Sequence, residues 1–173
     1  MFRIRTKDFI LRPIKPSDAR LYFESHQDKD SMKGFMTTPG TFKEAKKEVK
    51  ERIDAQKKGS GITFAIEIDG EYAGYVELHG MTKIERYKHS ALIGYCMHPK
   101  YRGRGITTKA VRLVTAYAFK NLHLRRIAAT CRTFNKASAR VLEKAGYTLE
   151  GILRKNKFKD GKYLDDMIWS KVR

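Results

Sequence analysis

The chain has 173 residues, enough for one domain with a full hydrophobic core, and we treat residues 1–173 as that single domain. Its hydrophobic content of 41% is ordinary for a globular protein, and its net charge is +18. No apolar run approaches the roughly 18–20 residues that span a bilayer. The N-terminal stretch also lacks the continuous apolar segment of a secretory signal. These features exclude a membrane-spanning protein and predict a cytoplasmic one.

The positive charge is concentrated towards the C-terminus. Residues 102–173 carry 18 Lys/Arg against 5 Asp/Glu, whereas residues 1–101 carry 19 against 14. Such a field attracts polyanions, including nucleic acid and phosphorylated cofactors. A lysine-rich solvated surface would explain the same charge. Cys96 and Cys131 lie in apolar contexts and are expected to be core residues, and no Cys/His cluster has zinc-ligand spacing, so we expect no metal.

The first 40 residues predict a strand, a helix and a loop. Residues 10–14 predict a short strand, which Pro13 and Pro16 stop. Ser17 is placed to cap a helix that continues to about His26. Residues 27–40 are polar and contain glycine and methionine, so we expect a mobile loop there.

A second helix and a β-hairpin follow. Thr41 and Glu44 have the spacing of a capping box, and apolar residues at helical spacing continue to Gly59. Two alternating segments then flank Asp69-Gly70, which is a strong signal for a hairpin turn. Because the lysines of the helix avoid its apolar stripe, we interpret them as a solvated face.

The second half predicts strand, helix, strand, helix and a final hairpin. A strand over residues 90–97 ends at His98-Pro99, and a buried strand covers residues 125–131. Asn135 begins a short helix that Gly146 ends, and the last two strands surround Asp160-Gly161. The helix between the first two strands carries an apolar stripe of Ile106, Ala110, Leu113, Val114 and Tyr117. This order predicts an α/β fold with a mixed sheet.

A glycine-containing turn joins the strand over residues 90–97 to the next helix. Gly103 and Gly105 allow a tight turn and close approach of a ligand to the backbone. The helix start presents unpaired amides and the positive end of the helix dipole, which together suit a pyrophosphate. Arg102 and Arg104 add positive charge. An ordinary strand-to-helix turn on a basic surface is the alternative.

The residues around this turn resemble the GNAT superfamily of acyl-CoA-dependent N-acetyltransferases. Arg102, Gly105 and Thr107 match its R/Q-x-x-G-x-G/A motif, although Thr107 departs at the last position. Asn135-x-x-Ser138 followed by EKAGY is similar to a second signature of the family. The opening FILRPIKPSDA and the ending EGILRKNKFKDGKYLDDMIWSKVR resemble the ribosomal-protein alanine acetyltransferase (RimJ/RimL-like) branch, which also contains enzymes that act on small amines.

The resemblance implies a fold and an activity. The fold would be a GNAT-like three-layer α/β arrangement, with a central mixed, mostly antiparallel sheet flanked by helices. The chain would transfer an acetyl group from acetyl-CoA to a primary amine by direct attack in a ternary complex, without a metal. The acceptor would be a protein N-terminus or a small molecule. The enzyme would be a monomer or homodimer.

The resemblance also implies roles for individual residues, from the donor site to the reacting atoms. The fourth strand would separate from the fifth and place Tyr95, Cys96 and Met97 along the pantetheine arm, with the Met97 amide facing the oxyanion. The pyrophosphate would contact the turn and helix start, namely Arg102, Gly103, Arg104, Gly105, Ile106, Thr107 and Thr108. Asn135 would bond the pantetheine or the acceptor region, Ser138 would lie near the sulfur, and Arg140 near the CoA phosphates. The plain alternatives are a helix cap for Asn135, a solvent-facing Ser138 and an ordinary surface charge at Arg140.

The familiar catalytic carboxylates of the family are missing. Leu92, Thr130 and Lys157 stand where members often place an acid, and Leu142 stands where others have a tyrosine. We therefore expect the amine to lose its proton through water rather than directly to a carboxylate.

Several other groups could shape the acceptor site. Glu77 is the remaining catalytic candidate, and it shares one strand face with Tyr75 and His79. That face meets either the acceptor cleft or solvent, and we expect it to meet solvent. Asp165 and Asp166 could bind an amine or pair with lysines. An apolar wall or ordinary core contacts are possible for Met32, Phe35 and Met36.

Two other classes of function compete with an enzyme. The C-terminal charge favours a basic RNA-binding or ribosome-associated module with weak, non-specific nucleic-acid contact, although no RNA-binding signature is present. The missing carboxylates favour an acyl-CoA-binding protein without turnover.

Overall fold

The computed structural model describes residues 3–173, apart from the side chains of residues 30–32. The strands are β1 (Ile4–Arg5), β2 (Ile10–Pro13), β3 (Ile62–Ile68), β4 (Glu71–His79), β5 (Ser90–Met97), β6 (Arg126–Arg132), β7 (Thr148–Lys159) and β8 (Lys162–Val172). The helices are α1 (Ala19–Ser25), α2 (Lys29–Gly34), α3 (Phe42–Lys58), α4 (Ile106–Asn121) and α5 (Lys136–Ala145). Short 3₁₀ turns at Pro16–Asp18 and Pro99–Tyr101 precede α1 and α4.

The strands form one mixed sheet in the order β1-β2-β3-β4-β5-β6-β8-β7. Every neighbouring pair is antiparallel except β5 and β6, which are parallel. Helices α4 and α5 pack on one face, where Val111, Val114 and Leu142 are fully buried. Helices α1 and α3 pack on the other, where Tyr22 and Val49 are buried. This arrangement confirms the expected three-layer α/β fold.

Strands β5 and β6 separate after a short stretch of pairing. Their paired residues are Ser90–Arg126, Ala91–Ile127 and Leu92–Ala128. Beyond Leu92, β5 continues to Met97 beside β4, while β6 continues beside β8. Successive amides along a strand point to opposite sides. The His98 amide donates to the Ala73 carbonyl of β4 at 2.9 Å. The Met97 and Tyr95 amides therefore point to the opposite side, which is open. The expected separation of these strands is present.

The strongest local signals of the sequence are confirmed. Thr41 Oγ1 accepts from the Glu44 amide at 3.2 Å, and the Glu44 carboxylate accepts from the Thr41 amide, which completes the capping box of α3. At the two Asp-Gly hairpins both turn residues have positive φ, with values of 50° and 84° at Asp69 and Gly70. This is the type I′ geometry that Asp-Gly favours.

Two expectations for the first 40 residues are wrong. Ser17 caps no α-helix, because it lies inside the 3₁₀ turn that precedes α1. Residues 27–40 are not a loop throughout, since they contain α2. Two side-chain hydrogen bonds hold this polar segment: Gln27 Nε2 donates to the Pro39 carbonyl at 2.8 Å within the segment, and Lys159 of β7 donates to the Phe35 carbonyl at 2.7 Å. Local sequence does not reveal such contacts.

Candidate active site

A cleft of about 1110 Å³ occupies the gap between β5 and β6. We call its two regions the donor end and the acceptor end. The donor end is bounded by the open part of β5, the glycine turn and the start of α5. The acceptor end is bounded by α1, α2, α3 and β4, with Tyr22, His26, Phe35, Arg52, Tyr75 and Glu77 in its wall.

The glycine turn has the geometry of an anion site. Gly103 and Gly105 have φ values of 76° and 72°, which side-chain-bearing residues rarely adopt. Gly105 is the N-cap of α4 and supplies no side-chain cap, so the amides of Ile106, Thr107 and Thr108 at the first turn have no acceptor within the helix. Gly103 and Thr107 line the cleft. The turn therefore directs unpaired donors and a helix dipole to the donor end.

The arginines near the turn differ in their surroundings. Arg102 donates to both carboxylate oxygens of Asp28, at 2.9 and 2.8 Å, and through Nε to the Met97 carbonyl at 2.9 Å. It therefore ties the end of β5 to the segment before α2. Arg104 is exposed on the turn, and Arg140 is exposed on α5 but does not line the cleft.

Asn135, Ser138 and Tyr95 form one hydrogen-bonded group at the donor end. Asn135 Oδ1 accepts from the Ser138 amide at 3.0 Å, so the expected N-cap is present. The Ser138 hydroxyl lies 2.8 Å from the Tyr95 hydroxyl, and the Tyr95 hydroxyl also donates to the Ser138 carbonyl at 3.1 Å. All three side chains line the cleft, and burial raises the pKa of Tyr95. The Ser138 hydroxyl therefore has a protein partner in the cleft and is not simply a solvent-facing group.

Cys96 and Cys131 are both buried, as the sequence predicts. The Cys96 thiol turns away from the donor end and lies 3.6 Å from the Ser25 carbonyl in the α1 layer. Met97 is also buried, with 6% of its surface exposed. Burial raises the pKa of the Cys131 thiol, which lines the cleft. A raised pKa keeps that thiol protonated at neutral pH.

The strand face of Tyr75, Glu77 and His79 meets the cleft, so our preference for solvent is wrong. Sequence alternation groups these three side chains but does not show that α3 lies across them. Glu77 Oε2 lies 3.0 Å from Arg52 Nε, and the two side chains form an ion pair. Glu77 is therefore a paired carboxylate in the wall of the acceptor end.

Aromatic rings complete this wall. The Tyr22 hydroxyl donates to Glu48 at 2.6 Å, and the Tyr22 and Tyr75 rings stack with centroids 5.7 Å apart. His26 lies beside both rings, with Nδ1 2.8 Å from the Tyr22 carbonyl. Burial lowers the pKa of His26, so its imidazole is neutral near pH 7.

The four positions at which the family often has a catalytic acid or tyrosine lie in two parts of the structure. Leu92, Thr130 and Lys157 line the cleft, whereas Leu142 is buried in the core. Asp166 is buried and pairs with Arg132 and Asn156, not with a lysine.

The remaining acceptor candidates are partly in place. Phe35 and Met36 line the cleft, while the side chain of Met32 lies outside the described residues. The Asp165 carboxylate accepts from the Lys155 amide at 2.7 Å. Among residues 3–173, no helix is long and apolar enough to cross a bilayer. The described side chains also contain no group of three or more His, Cys, Asp or Glu that could hold a metal.

Sequence reasoning missed Tyr22, Glu48 and Arg52. A signal exists, because Glu48 and Arg52 each follow a residue of the buried stripe, Ala45 or Val49, by three positions. That spacing places them at the border of the buried face, away from the fully solvated lysines.

Known proteins are similar to this chain in sequence and in fold. Residues 8–148 match the acetyltransferase (GNAT) domain family. In Bacillus subtilis (strain 168), the probable N-acetyltransferase YjcK is 48% identical over 79 residues, 46% of this chain and 44% of YjcK. The putative ribosomal N-acetyltransferase YdaF of the same strain is 34% identical over 108 residues, 62% of this chain and 55% of YdaF. The chain thus spans about half the length of these two relatives.

Two further comparisons cover most of the chain. Spermidine N(1)-acetyltransferase of Escherichia coli (strain K12) is 29% identical over 154 residues, 88% of this chain and 80% of that protein. A solved structure of RimL, a ribosomal α-N-protein acetyltransferase in complex with coenzyme A, superposes with a TM-score of 0.85 at 23% identity, covering 99% of this chain and 98% of the other. The matched residues include the glycine turn, Asn135 and Ser138, and the match confirms the resemblance drawn from the sequence. The chain belongs to the GNAT acetyltransferase domain family.

Proposed function

We propose that this chain transfers the acetyl group of acetyl-CoA to a primary amine by direct attack in a ternary complex. The observation that carries the proposal is the separation of β5 from β6 beyond Leu92, directly before a left-handed glycine turn and a helix start. An open strand edge suits an extended amide-containing arm, and the turn suits a pyrophosphate. One cleft thus accommodates both parts of a CoA thioester.

At the donor end, we assign the pyrophosphate to the amides from Gly103 to Thr108. The pantetheine arm lies along residues 95–97, whose backbone edge is open, and the Met97 amide faces the oxyanion of the tetrahedral intermediate. Asn135 fixes the first turn of α5 and thereby the position of Ser138. Arg102 holds the loop in place, since Asp28 already engages its guanidinium.

The reaction needs a neutral amine and a protonated leaving group. The amine nitrogen attacks the thioester carbon, the C–N bond forms, the C–S bond breaks, and the amine proton passes through water towards the thiolate. Ser138 stabilises the departing sulfur by a hydrogen bond, and Tyr95 orients that hydroxyl from 2.8 Å away. Glu77 lies at the acceptor end, but Arg52 already pairs with it, so we give it a role in shaping the acceptor wall rather than in taking the proton of the amine.

The acceptor is a protein N-terminal α-amine or a small-molecule amine. Two relatives support these alternatives, since one is named a putative ribosomal N-acetyltransferase and the other a spermidine acetyltransferase. The reaction takes place in the cytoplasm under this proposal. Thiol release from acetyl-CoA, measured with a panel of peptides and small amines, tests it. Failure of every amine to stimulate thiol release would leave a CoA-binding protein without turnover.

The donor assignment has a matched pair of variants. Gly105→Asp places a negative charge at the turn, and Gly70→Asp makes the same change in a hairpin turn outside the cleft. Both glycines have positive φ and open space where the first side-chain carbon would lie, so the backbone strain is similar. We expect calorimetry to show weakened CoA binding for Gly105→Asp alone. Unchanged affinity in both variants would contradict the assignment.

A second role, contact with nucleic acid, is favoured by the tip of the β7–β8 hairpin. Phe158 and Tyr163 are exposed and lie side by side, with ring centroids 5.1 Å apart. Lys155 lies 5.8 Å from the Tyr163 ring, and Lys157 and Lys162 are exposed nearby. Aromatic rings beside cations suit single-stranded nucleic acid. We propose weak, non-specific binding that serves to bring the enzyme to a ribonucleoprotein substrate.

A further inference from the structure

The acceptor end already contains an organic cation, the guanidinium of Arg52. Its central carbon lies 5.0 Å from the Tyr22 ring centre and 5.2 Å from the Tyr75 ring centre. Its nitrogens lie 3.6 Å from Glu48 Oε2 and 3.0 Å from Glu77 Oε2. Two aromatic rings and two carboxylates around one cation are the groups that recognise an ammonium or guanidinium ligand.

These groups are built into the wall of the cleft. Tyr22 and Tyr75 are almost completely buried, and the side chains of Arg52 and Glu77 are 20% and 18% exposed. Partial burial strengthens both cation–π contacts and ion pairs, because water screens them less. One cation faces two carboxylates, so the group keeps a formal charge of −1 with Arg52 in place and would carry −2 without it. We call Tyr22, Glu48, Tyr75 and Glu77 the Arg52 cage.

We propose that the Arg52 cage is a subsite for organic cations and that Arg52 fills it, which restricts the acceptor to amines without a second cationic group. The inference rests on the proposed acetyl transfer and names its acceptor class. A diamine would need to place its second ammonium in the acceptor wall, where Arg52 already stands. A peptide with one α-amine has no such requirement. Arg52 is therefore a specificity residue that substitutes for part of a ligand.

The first test measures binding without turnover. Arg52→Ala vacates the cage, so methylguanidinium and cadaverine should raise its thermal midpoint at constant ionic strength. The same cations should leave the midpoints of the wild type and of Lys43→Ala unchanged, since Lys43 is an exposed cation on the same helix. Arg52→Met, which keeps the aliphatic stem, replaces the alanine variant if that protein does not fold. Equal shifts in the variant and the wild type would overturn the proposal.

The second test measures selectivity. With cadaverine and an alanine-initiated peptide as acceptors, the ratio of their kcat/KM values should move towards cadaverine by about tenfold or more in Arg52→Ala, the scale of a partly desolvated cation–π contact. Arg52→Lys keeps a cation in the cage and should keep the wild-type preference. An unchanged ratio in Arg52→Ala would overturn the inference alone. Absence of thiol release from the wild type with every amine would instead defeat the proposed function, and the thermal midpoints would still decide whether the cage binds cations.

Discussion

Substitution of Ser138 by alanine tests the assignment of the leaving-group site. The change removes the hydroxyl that lies 2.8 Å from the Tyr95 hydroxyl, but the Ser138 carbonyl at 3.1 Å remains as a partner for Tyr95. The fold therefore loses little, because no buried hydroxyl is left unsatisfied. The Asn135 cap also survives, since it uses the backbone amide of residue 138. Any large effect should consequently fall on the chemistry.

The size of that effect follows from the charge on the departing sulfur. A hydrogen bond to a charged group contributes about 1.5–3 kcal/mol, which corresponds to a turnover about tenfold to a hundredfold lower. Affinity for CoA should change little, because the hydroxyl acts on the sulfur only as it becomes a thiolate. Thiol release at saturating acetyl-CoA gives the rate, and calorimetry gives the affinity. Ser90→Ala, at the paired start of β5, is the matched control.

A second substitution identifies whether the two hydroxyls act together. Tyr95→Phe removes the group that orients Ser138, so the double variant should be no slower than the slower single variant. Normal turnover in Ser138→Ala together with loss of activity in Glu77→Gln would refute our reasoning, because the proton path would then run through Glu77.

Three further outcomes concern stability and surface charge. Asp166→Ala should lower the free energy of unfolding by about 3–5 kcal/mol, because it leaves Arg132 buried without its partner; urea titration measures this, and a loss below about 1 kcal/mol would contradict it. Burial raises the pKa of Tyr147 to about 12, above its ordinary value of 10.0, so the unfolded chain ionises first as pH rises. Stability should therefore fall between about pH 10 and 12, and Tyr147→Phe should remove about 1.4 kcal/mol per pH unit of that fall. Oligonucleotide binding should weaken steeply with salt and drop further in Phe158→Ala/Tyr163→Ala; tight, sequence-selective binding at moderate salt would argue against a merely accessory role.

Features with a local physical cause could be predicted from the sequence. The capping box at Thr41, the Asp-Gly turns and the glycine turn before α4 each depend on residues within four positions of one another. Their hydrogen bonds and dihedral angles are therefore encoded in short segments. The strand separation followed from family resemblance, since β5 and β6 carry no local signal that would end their pairing at Leu92.

The acceptor end could not be predicted in the same way. It depends on where α1, α2 and α3 lie over β4, which is a matter of long-range packing. Sequence alternation predicts that Tyr75 and Glu77 share one face of β4. That this face lines the cleft depends on the position of α3 over it, which the alternation does not indicate. Helix α2 escaped prediction because its polar sequence is held by contacts such as that between Arg102 and Asp28, 74 positions apart.

Among the residues that the structure describes, only three pairs join β5 to β6, so the two halves of the sheet are connected by a short stretch of strand pairing. A ligand that pairs with the open edge of β5 would lie between these halves, so donor binding should strengthen the connection between them. Ligand binding to the folded state alone adds about 2.7 kcal/mol at a concentration about one hundred times Kd. Thermal midpoints and amide exchange at Tyr95 and Met97 should then report donor binding before any acceptor has been identified.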